Sequence, residues 1–421
     1  MSLFWIENSN VHFTYEQFIQ DLNSSKCFNR YIYDRNPYVV FLNFVGNIIN
    51  NYDFEILDHD FSKNELKNIG IAYDDIEKNL IVNKIYVGDK KDLIKRFIDS
   101  RNSSQIIMYT SGTTGKPKKI THKFKNLMNS CKVDTKFASD VWAFAYNPTH
   151  FAGVQVFLQA FINQNTMVYV FDKETKDVIN LISEVQITRI SATPTFYKKI
   201  IPSISEEVRT VKSLTSGGEK FDQHLMPHIE RVFPNAKIVN VYASTEAGSL
   251  FSTKDEYFLI SEKYKDKIKV SNNSELMIHE SLIAFSDEIE FVDGYYNTKD
   301  VIEFYDESKF KFVSRNSDFI NVGGYRVNPL EIEEIILQSG YAREVLVYGR
   351  KNSVIGNIVV AEVIKVDSNM NDSEVVTGVK LYLKDKVQDW KEPRMYKIVD
   401  NIEITRTGKK VRKNEMDYCN R

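Results

Sequence analysis

Cysteine, net charge and long hydrophobic runs are all scarce in this 421-residue sequence, and each scarcity excludes a class of protein. The three cysteines, Cys27, Cys131 and Cys419, are far apart and form no CxxC pair, which excludes a disulfide framework and a cysteine zinc site. The 55 Lys and Arg residues nearly balance the 57 Asp and Glu residues, so no global basic field exists for binding nucleic acid. We therefore predict reduced thiols and no nucleic-acid partner, and any polyanion must be bound by a local group of residues.

The sequence shows neither the pattern of a membrane-spanning helix nor that of a signal peptide. No stretch approaches about 18 apolar residues, the length that a membrane-spanning helix needs. The first residues meet Glu7 before the apolar core of a signal peptide could form. We therefore predict a cytoplasmic protein without a membrane partner. Its 43% hydrophobic and 27% charged residues are typical of a continuously folded chain.

Apolar runs alternate along the chain with segments of helical periodicity. The runs are rich in β-branched and aromatic residues, as buried parallel strands are, and cover 38–42, 105–109, 166–171 and 236–242. Helical periods lie between them, for example at 177–182 and 223–229. This alternation predicts a large α/β body with mostly parallel sheets.

The pattern changes to antiparallel β between residues 288 and 313. A helix is then expected to begin at Asn328 and Pro329, because Asn before a Pro at the first helical position is a strong start signal. We predict two domains: a large α/β domain over 1–316 and a small, mobile α+β domain over 317–421.

A glycine-rich segment directly follows the predicted strand at 105–109. It consists of Thr110, Ser111, Gly112, Thr113, Thr114, Gly115 and Lys116. Hydroxyls, exposed amides and lysine together can surround a polyphosphate, and an ordinary surface turn rarely concentrates so many anion ligands. The spacing differs from that of a Walker loop, and Pro117 prevents a helix from starting immediately.

The glycine-rich segment resembles the signature of the adenylate-forming superfamily, which includes acyl-CoA synthetases, adenylation domains and luciferases. Further segments resemble the other motifs of this family in the same order, from Phe13 in a predicted opening helix to Lys409. The resemblance implies ATP and Mg²⁺ as cofactors. It also implies that 110–116 binds the phosphates of ATP.

The segment 240–246, Asn-Val-Tyr-Ala-Ser-Thr-Glu, is similar to the family's Asn-x-Tyr-Gly-x-Thr-Glu. The resemblance implies that Asn240 and Tyr242 bind the nucleotide, that Thr245 contacts the α-phosphate or the reacting carboxylate, and that Glu246 binds Mg²⁺. Ala243 replaces the usual glycine. Taken alone, the segment is also typical of a strand end followed by a helix N-cap.

Three further segments resemble nucleotide-binding elements of the family. Gly217, Gly218 and Glu219 resemble a turn against which adenine packs, although an ordinary loop has the same composition. The resemblance also implies that Asp300 and Arg315 bind the ribose hydroxyls. Lys299 stands where the family has glycine.

The C-terminal part of the chain resembles the hinge and the mobile domain of the family. The resemblance places the hinge at Ser317 and Asp318, and a tunnel for the incoming thiol at Gly323 and Gly324. It identifies Lys409 as the adenylation lysine, with Lys410 as a neighbouring candidate. A basic C-terminal run is otherwise usually a solvated face.

The implied reaction joins a small carboxylic acid to a thiol in two steps: adenylation by ATP, then transfer to coenzyme A or to the phosphopantetheine of a free-standing acyl carrier protein. An apolar or aryl acid is favoured, because Phe151 and Val154 are apolar and the acidic partner of a substrate ammonium group is not evident. His150 is expected beside the acyl group, either gating the tunnel or bonding a buried carbonyl. No His–carboxylate dyad is identified. The alternative function is a nucleotide-binding protein with lost or altered turnover.

Overall fold

The structure, a computed structural model, describes residues 2–102, 104–110, 117–221, 223–315, 318–322, 325–352, 356–384, 386–404 and 410–411. The chain divides into two compact units. Unit 1 comprises Met1–Ile268 and Ile278–Tyr296, and unit 2 comprises Lys269–Met277 and Asn297–Arg421. The domain boundary predicted after residue 316 stays a prediction.

The strands are numbered in chain order. They are β1 Leu3–Asn8, β2 Val11–Thr14, β3 Cys27–Asn29, β4 Tyr31–Ile32, β5 Phe54–Ile56, β6 Leu80–Val82, β7 Gln105–Thr110, β8 Lys118–Lys123, β9 Val141–Phe144, β10 Thr166–Tyr169, β11 Arg189–Ala192, β12 Ser213–Gly217, β13 Lys237–Ser244, β14 Gly248–Thr253, β15 Phe258–Leu259, β16 Ile268–Val270, β17 Glu275–His279, β18 Phe291–Val292, β19 Tyr295–Phe304, β20 Lys309–Arg315, β21 Ile320–Val322, β22 Tyr325–Val327, β23 Ala342–Asn352, β24 Gly356–Lys365 and β25 Met395–Ile398.

The α-helices are numbered in the same way. They are α1 Tyr15–Ser24, α2 Pro37–Ile49, α3 Lys63–Asn68, α4 Tyr73–Ile76, α5 Lys90–Asp99, α6 Phe124–Met128, α7 Phe151–Ile162, α8 Thr175–Glu184, α9 Pro194–Ile200, α10 Met226–Val232, α11 Pro329–Gln338 and α12 Asp372–Leu383. In the described part of the chain, none of these helices has both the length and the apolar character that crossing a membrane requires.

Unit 1 is built on an eight-stranded sheet with the order β14-β13-β12-β11-β9-β10-β1-β2. The six inner strands run parallel, while β14 and β2 pair antiparallel at the two edges. A second sheet, β4-β5-β7-β8, is parallel except for the final hairpin. Because parallel neighbours need crossover connections, helices cover these sheets, and the central strands β9, β10 and β11 have mostly buried or half-buried residues.

An aromatic core lies under the first sheet of unit 1. Phe41 of α2 stacks on Phe157 of α7 with ring centroids 3.9 Å apart. Trp5 of β1 is fully buried and contacts Phe41 and Phe144 at 5.8 and 5.4 Å. Burial of one such ring stabilises the fold by about 1.5–3 kcal/mol, so this cluster holds β1, α2 and α7 in place.

Unit 2 contains a mostly antiparallel sheet with the order β22-β21-β24-β23, extended by β25, which runs parallel to β24. Helices α11 and α12 bury their apolar sides with this sheet in one core. Glu333 of α11 is also buried. Its Oε1 accepts a hydrogen bond from the backbone N–H of Val347 in β23 at 2.7 Å, which compensates for the burial of this carboxylate. These features confirm the predicted fold class, a large α/β part and a smaller α+β part.

Most of the predicted elements are confirmed, and one is wrong. The runs at 105–109, 166–171 and 236–242 lie in β7, β10 and β13, and the helix expected at Asn328 is α11 with Asn328 as its N-cap. The run at 38–42 is not a strand but part of α2. This helix is buried on nearly every side, so its sequence is a continuous apolar run that periodicity alone does not distinguish from a buried strand.

Candidate active site

The predicted motifs of unit 1 follow neighbouring strands of one sheet. Residues 146–150 come after β9, residues 218–219 after β12, and residues 245–246 after β13. Since β9, β11, β12 and β13 are parallel, all these segments lie at the same edge of the sheet. The carboxyl ends of the strands in an open α/β sheet are the usual position of a ligand site.

The glycine turn after β12 favours glycine at both of its positions. A Cβ atom on Gly217 would lie 3.2 Å from the carbonyl oxygen of Val241, and Gly218 has a φ of +84°. The turn is held by Glu219, whose Oε2 accepts hydrogen bonds from the backbone N–H and the hydroxyl of Thr195 at 3.0 and 2.8 Å. Glu219 therefore has a visible structural role at the start of α9.

Tyr242 presents its ring near the end of β13. The ring is half-buried and contacts Phe251 at 5.9 Å and Phe258 at 6.4 Å. Asn240 lies two residues earlier in the same strand, opposite Ser216 of β12. The register between β13 and β14 shifts between Tyr242 and Ala243, so the strand is irregular at the position where the family has glycine.

Thr245 and Glu246 follow β13 directly. The backbone of each residue forms a hydrogen bond with a different segment of unit 1. The Glu246 carbonyl oxygen accepts a hydrogen bond from the Ala284 N–H at 2.7 Å. The Glu246 carboxylate is half-buried and has no hydrogen-bond or ion-pair partner among the residues that the structure describes. A hard oxygen ligand left without a protein partner fits a Mg²⁺ ligand.

A buried histidine contacts this motif. His122 of β8 is only 5% exposed, and its Nε2 has no hydrogen-bond partner within the described part of the chain. Burial lowers the pKa of His122 to about 4, although a hydrogen bond with the Thr245 backbone acts in the opposite direction. The ring is therefore neutral at pH 7, and it lies 5.6 Å from the ring of Phe151.

The glycine-rich segment joins β7 to β8. Thr110 ends β7 and pairs with Lys118, the first residue of β8, so a strand and not a helix follows the segment. The other predicted phosphate ligands lie outside the described residues: Ser111, Gly112, Thr113, Thr114, Gly115 and Lys116. The two strand ends that carry them are tied together by Glu55, which contacts Tyr109 and Lys119.

His150 precedes α7, and its ring bonds a carboxylate instead of the buried carbonyl that was one of the two expectations for it; the other, gating of the tunnel, stays a prediction. Its Nε2 lies 2.8 Å from Oδ2 of Asp58, and Asp58 is 5% exposed. No His–carboxylate dyad is identified from the sequence, but the structure contains this one. The two residues are 92 positions apart, and no spacing rule connects them.

Unit 2 carries the predicted ribose ligands as a pair. Asp300 of β19 lies directly opposite Arg315 of β20, and the Arg315 Nε donates to Asp300 Oδ1 at 2.8 Å. Lys299 has a φ of 63°, so the chain keeps the left-handed conformation that glycine would adopt there. Asp318, the second predicted hinge residue, is half-buried.

Four predicted residues of the C-terminal part lie outside the described residues: Ser317, Gly323, Gly324 and Lys409. Their roles stay predictions. The neighbouring candidate Lys410 is described, and its Nζ donates to the Val345 carbonyl oxygen of β23 at 2.6 Å. Lys410 thus has a structural contact within unit 2.

Sequence reasoning missed Asp58, Glu55 and His122 as site residues. Asp58 and Glu55 lie in or just after β5, a three-residue strand that the sequence analysis does not identify. His122 lies two residues after Ile120 in β8, and these two buried positions alternate with the more exposed Lys119, Thr121 and Lys123. This alternation is the signal with which the buried histidine could have been found.

Comparison with protein families gives two matches. Residues 52–272 match the AMP-binding enzyme family, and residues 331–409 match the AMP-binding enzyme C-terminal domain. The first match alone covers more than half of the chain.

The similar curated proteins include 2-succinylbenzoate–CoA ligases. The protein from Staphylococcus epidermidis is 26% identical over 332 residues, which cover 73% of this chain and 68% of the relative. The protein from Listeria monocytogenes is 27% identical over 336 residues, with 74% and 69% covered.

Among solved structures, the o-succinylbenzoate CoA synthetase (MenE) of Bacillus subtilis in complex with its acyl-adenylate OSB-AMP has a TM-score of 0.68 at 18% identity. That likeness covers 97% of this chain and 94% of the other. The ATP-bound RpMatB-BxBclM chimera B1 has a TM-score of 0.71 at 17% identity, with the same coverage. At this identity the two structures establish the shared fold. Together with the family match, they show that this chain belongs to the AMP-binding enzymes of the adenylate-forming superfamily.

Proposed function

We propose that this chain activates an aryl carboxylic acid related to 2-succinylbenzoate with ATP, and transfers the acyl group to coenzyme A. The class of reaction, AMP-forming ligation of an acid to a thiol, follows from the family. The choice of acid rests on the names of the similar curated proteins and on the aromatic surroundings of His122 and Phe151.

The observation that carries the proposal is the common position of the strand-end segments in unit 1. The glycine turn, the 240–246 segment and His150 all follow parallel strands of one sheet. In this arrangement Tyr242 offers a flat surface to the purine and Thr245 a hydroxyl to the phosphate or the carboxylate. Positioning of this kind is most of what phosphoryl-transfer chemistry requires from a protein.

In the first step, an oxygen of the carboxylate attacks the α-phosphorus of ATP, and the bond to the pyrophosphate oxygen breaks. The acid is already ionised at pH 7, so no residue has to remove a proton. Glu246 is the proposed ligand of Mg²⁺, which neutralises phosphate charge when bound. Lys409 is proposed to contact the oxygens between which negative charge develops.

In the second step, a thiol attacks the acyl carbon and AMP leaves. Residues Ser317 and Asp318 are the proposed hinge for the domain movement between the steps, and Gly323 and Gly324 the proposed thiol tunnel. A phosphopantetheine-loaded carrier protein is the alternative acceptor. The two acceptors are distinguished by offering both to the enzyme together and measuring which one carries the acyl group.

The proposal is tested by incubating the purified protein with ATP, Mg²⁺, coenzyme A and a panel of acids. The panel contains 2-succinylbenzoate, benzoate, a short aliphatic acid and phenylalanine, and acyl-CoA and AMP are measured by mass spectrometry. We expect product with 2-succinylbenzoate or another aryl acid, and none with phenylalanine. Product from phenylalanine alone, or AMP without any acid-dependent product, would contradict the proposal.

A further inference from the structure

The Asp58 and His150 side chains form a dyad that neither the family match nor the names of the relatives assign. Asp58 follows β5 and its side chain is 6% exposed, whereas the His150 side chain at the start of α7 is 22% exposed. Their Oδ2 and Nε2 atoms are 2.8 Å apart. The carboxylate is thus buried behind a ring that still reaches solvent.

This contact determines which nitrogen of His150 carries the proton. An ionised carboxylate can only accept hydrogen bonds, so the neutral ring has its proton on Nε2, facing Asp58. The other ring nitrogen, Nδ1, then has a free electron pair. A histidine held by a carboxylate in this way is a common arrangement of a general base.

The dyad lies next to the segment that is proposed to hold the reacting group. Phe151 follows His150 directly, and its ring lies 5.6 Å from His122. A Cβ atom on Gly248 would lie 3.8 Å from Cζ of Phe151. Because His122 also bonds the Thr245 backbone, Phe151 lies close both to a residue that bonds Thr245 and to Gly248, two residues after Glu246.

Only the second step of the proposed reaction needs a base. A thiol with a pKa of about 8.5 is mostly protonated at pH 7. Because the thiolate is the nucleophile, the thiol proton has to be removed during this step. Two other histidines of unit 1 lie near this edge and are less suited. His122 is a weak base because its burial lowers its pKa to about 4. Both ring nitrogens of His59 face carboxylates, since its Nδ1 lies 3.7 Å from Asp58 and its Nε2 lies 3.1 Å from Asp60.

We propose that Asp58 is a positioning residue that orients His150, so that His150 Nδ1 accepts the proton of the incoming thiol during thioester formation. As this proton moves to Nδ1, the sulfur forms a bond to the acyl carbon. The bond between that carbon and the phosphate oxygen breaks, and its electron pair leaves with AMP. The proton then passes from His150 to solvent. This inference rests on the proposed function, because it requires an acyl-adenylate and a thiol.

The test compares the two half-reactions in Asp58→Asn, Asp58→Glu and His150→Gln. Adenylation is followed as acid-dependent exchange of pyrophosphate into ATP. Thioester formation is followed separately, with synthetic 2-succinylbenzoyl-adenylate and coenzyme A as substrates. The matched control is Asp60→Asn, which removes a carboxylate two residues away that contacts His59. Thermal melting of each variant checks that it folds.

We expect His150→Gln to slow thioester formation by about 100-fold or more, and Asp58→Asn by at least about tenfold. In each variant, pyrophosphate exchange should fall by a smaller factor than thioester formation. A fourth variant that combines Asp58→Asn with His150→Gln should form the thioester no more slowly than His150→Gln alone, because the two residues act as one unit. Asp58→Glu should recover part of the rate, and Asp60→Asn should equal the wild type.

Equal losses in both half-reactions, or unchanged thioester formation in folded Asp58→Asn, would overturn the inference. Failure of the wild type in pyrophosphate exchange with every acid would instead overturn the proposed function. The synthetic adenylate keeps these two failures distinguishable, since it tests thioester formation without the first step.

Discussion

The hydroxyl of Tyr109 donates a hydrogen bond to Oε2 of Glu55 at 2.5 Å, at the point where the glycine-rich segment leaves β7. Lys119, opposite Tyr109 in β8, contacts the other oxygen of Glu55 at 3.2 Å. Glu55 is 7% exposed, and burial together with this carboxylate raises the pKa of Tyr109. One carboxylate of β5 thus fixes both ends of the proposed phosphate-binding segment.

Tyr109→Phe should therefore destabilise the protein by about 1–3 kcal/mol, because a buried carboxylate oxygen loses its donor. It should also raise the KM for ATP more than it lowers kcat. The matched control is Tyr33→Phe, which removes a hydroxyl bonded to the Phe61 carbonyl oxygen in the same region. Chemical denaturation and initial rates measure both effects. If Tyr109→Phe and Tyr33→Phe had the same KM for ATP, the hydrogen bond between Tyr109 and Glu55 would not be needed to position the glycine-rich segment.

Gly153 is required by the close approach of α7 to the segment that precedes it. A Cβ atom there would lie 2.1 Å from the carbonyl oxygen of Asn147, and this oxygen belongs to a buried backbone that cannot easily move. Gly153→Ala should cost at least about 3 kcal/mol in the free energy of unfolding.

The control for this change is Gly88→Ala, at an exposed position where the nearest atom to a new Cβ is 3.9 Å away. We expect its stability to change by less than about 1 kcal/mol. Denaturant midpoints compare the two variants. Equal midpoints would show that α7 can shift away from Asn147.

His122 should make the stability of the protein depend on pH. Burial lowers its pKa to about 4 from the ordinary value of 6.5. As the pH falls below 6.5, the unfolded chain binds a proton at this position and the folded chain does not, so stability decreases. The loss continues until about pH 4 and reaches about 3 kcal/mol at most.

Replacing His122 with Gln removes this contribution. The difference in unfolding free energy between wild type and His122→Gln should thus shrink by up to about 3 kcal/mol between pH 7 and pH 4. The matched control is His12→Gln, the same substitution at an exposed position of β2. Parallel curves for wild type and His122→Gln would contradict a neutral, buried ring.

Asp300 is expected to act on the ribose while it is held by Arg315. Asp300→Asn should raise the KM for ATP by about 10- to 100-fold, since hydrogen bonds to a charged group contribute about 1.5–3 kcal/mol. The effect should largely disappear with 2′,3′-dideoxy-ATP, which lacks both hydroxyls. Asp306→Asn, in the exposed turn between β19 and β20, is the control. An equal loss with both nucleotides would rule out a ribose contact.

Local patterns sufficed to predict the elements with strong local signals. β7, β10 and β13 are short β-branched runs, and α11 has both a capping Asn and a Pro at its first position. The strand at 38–42 was predicted wrongly because α2 is buried on nearly every side and has no polar face.

Contacts between distant parts of the chain could not be predicted in this way. Asp58 and His150 meet only because β5 and α7 are packed into the same unit, and no residue spacing encodes that contact. The pairing of Asp300 with Arg315 depends on the register of β19 and β20, which includes a shift between Val301 and Ile302. Glu246, in contrast, is proposed as a site residue from its motif alone.

The most direct test of the central claim, that the strand ends of unit 1 bind ATP and activate an acid, is pyrophosphate exchange in the wild type and in Glu246→Gln. We predict exchange that depends on an aryl acid in the wild type and is reduced by at least about 100-fold in the variant. Exchange of equal rate in Glu246→Gln, or no exchange by the wild type with any acid, would contradict the account.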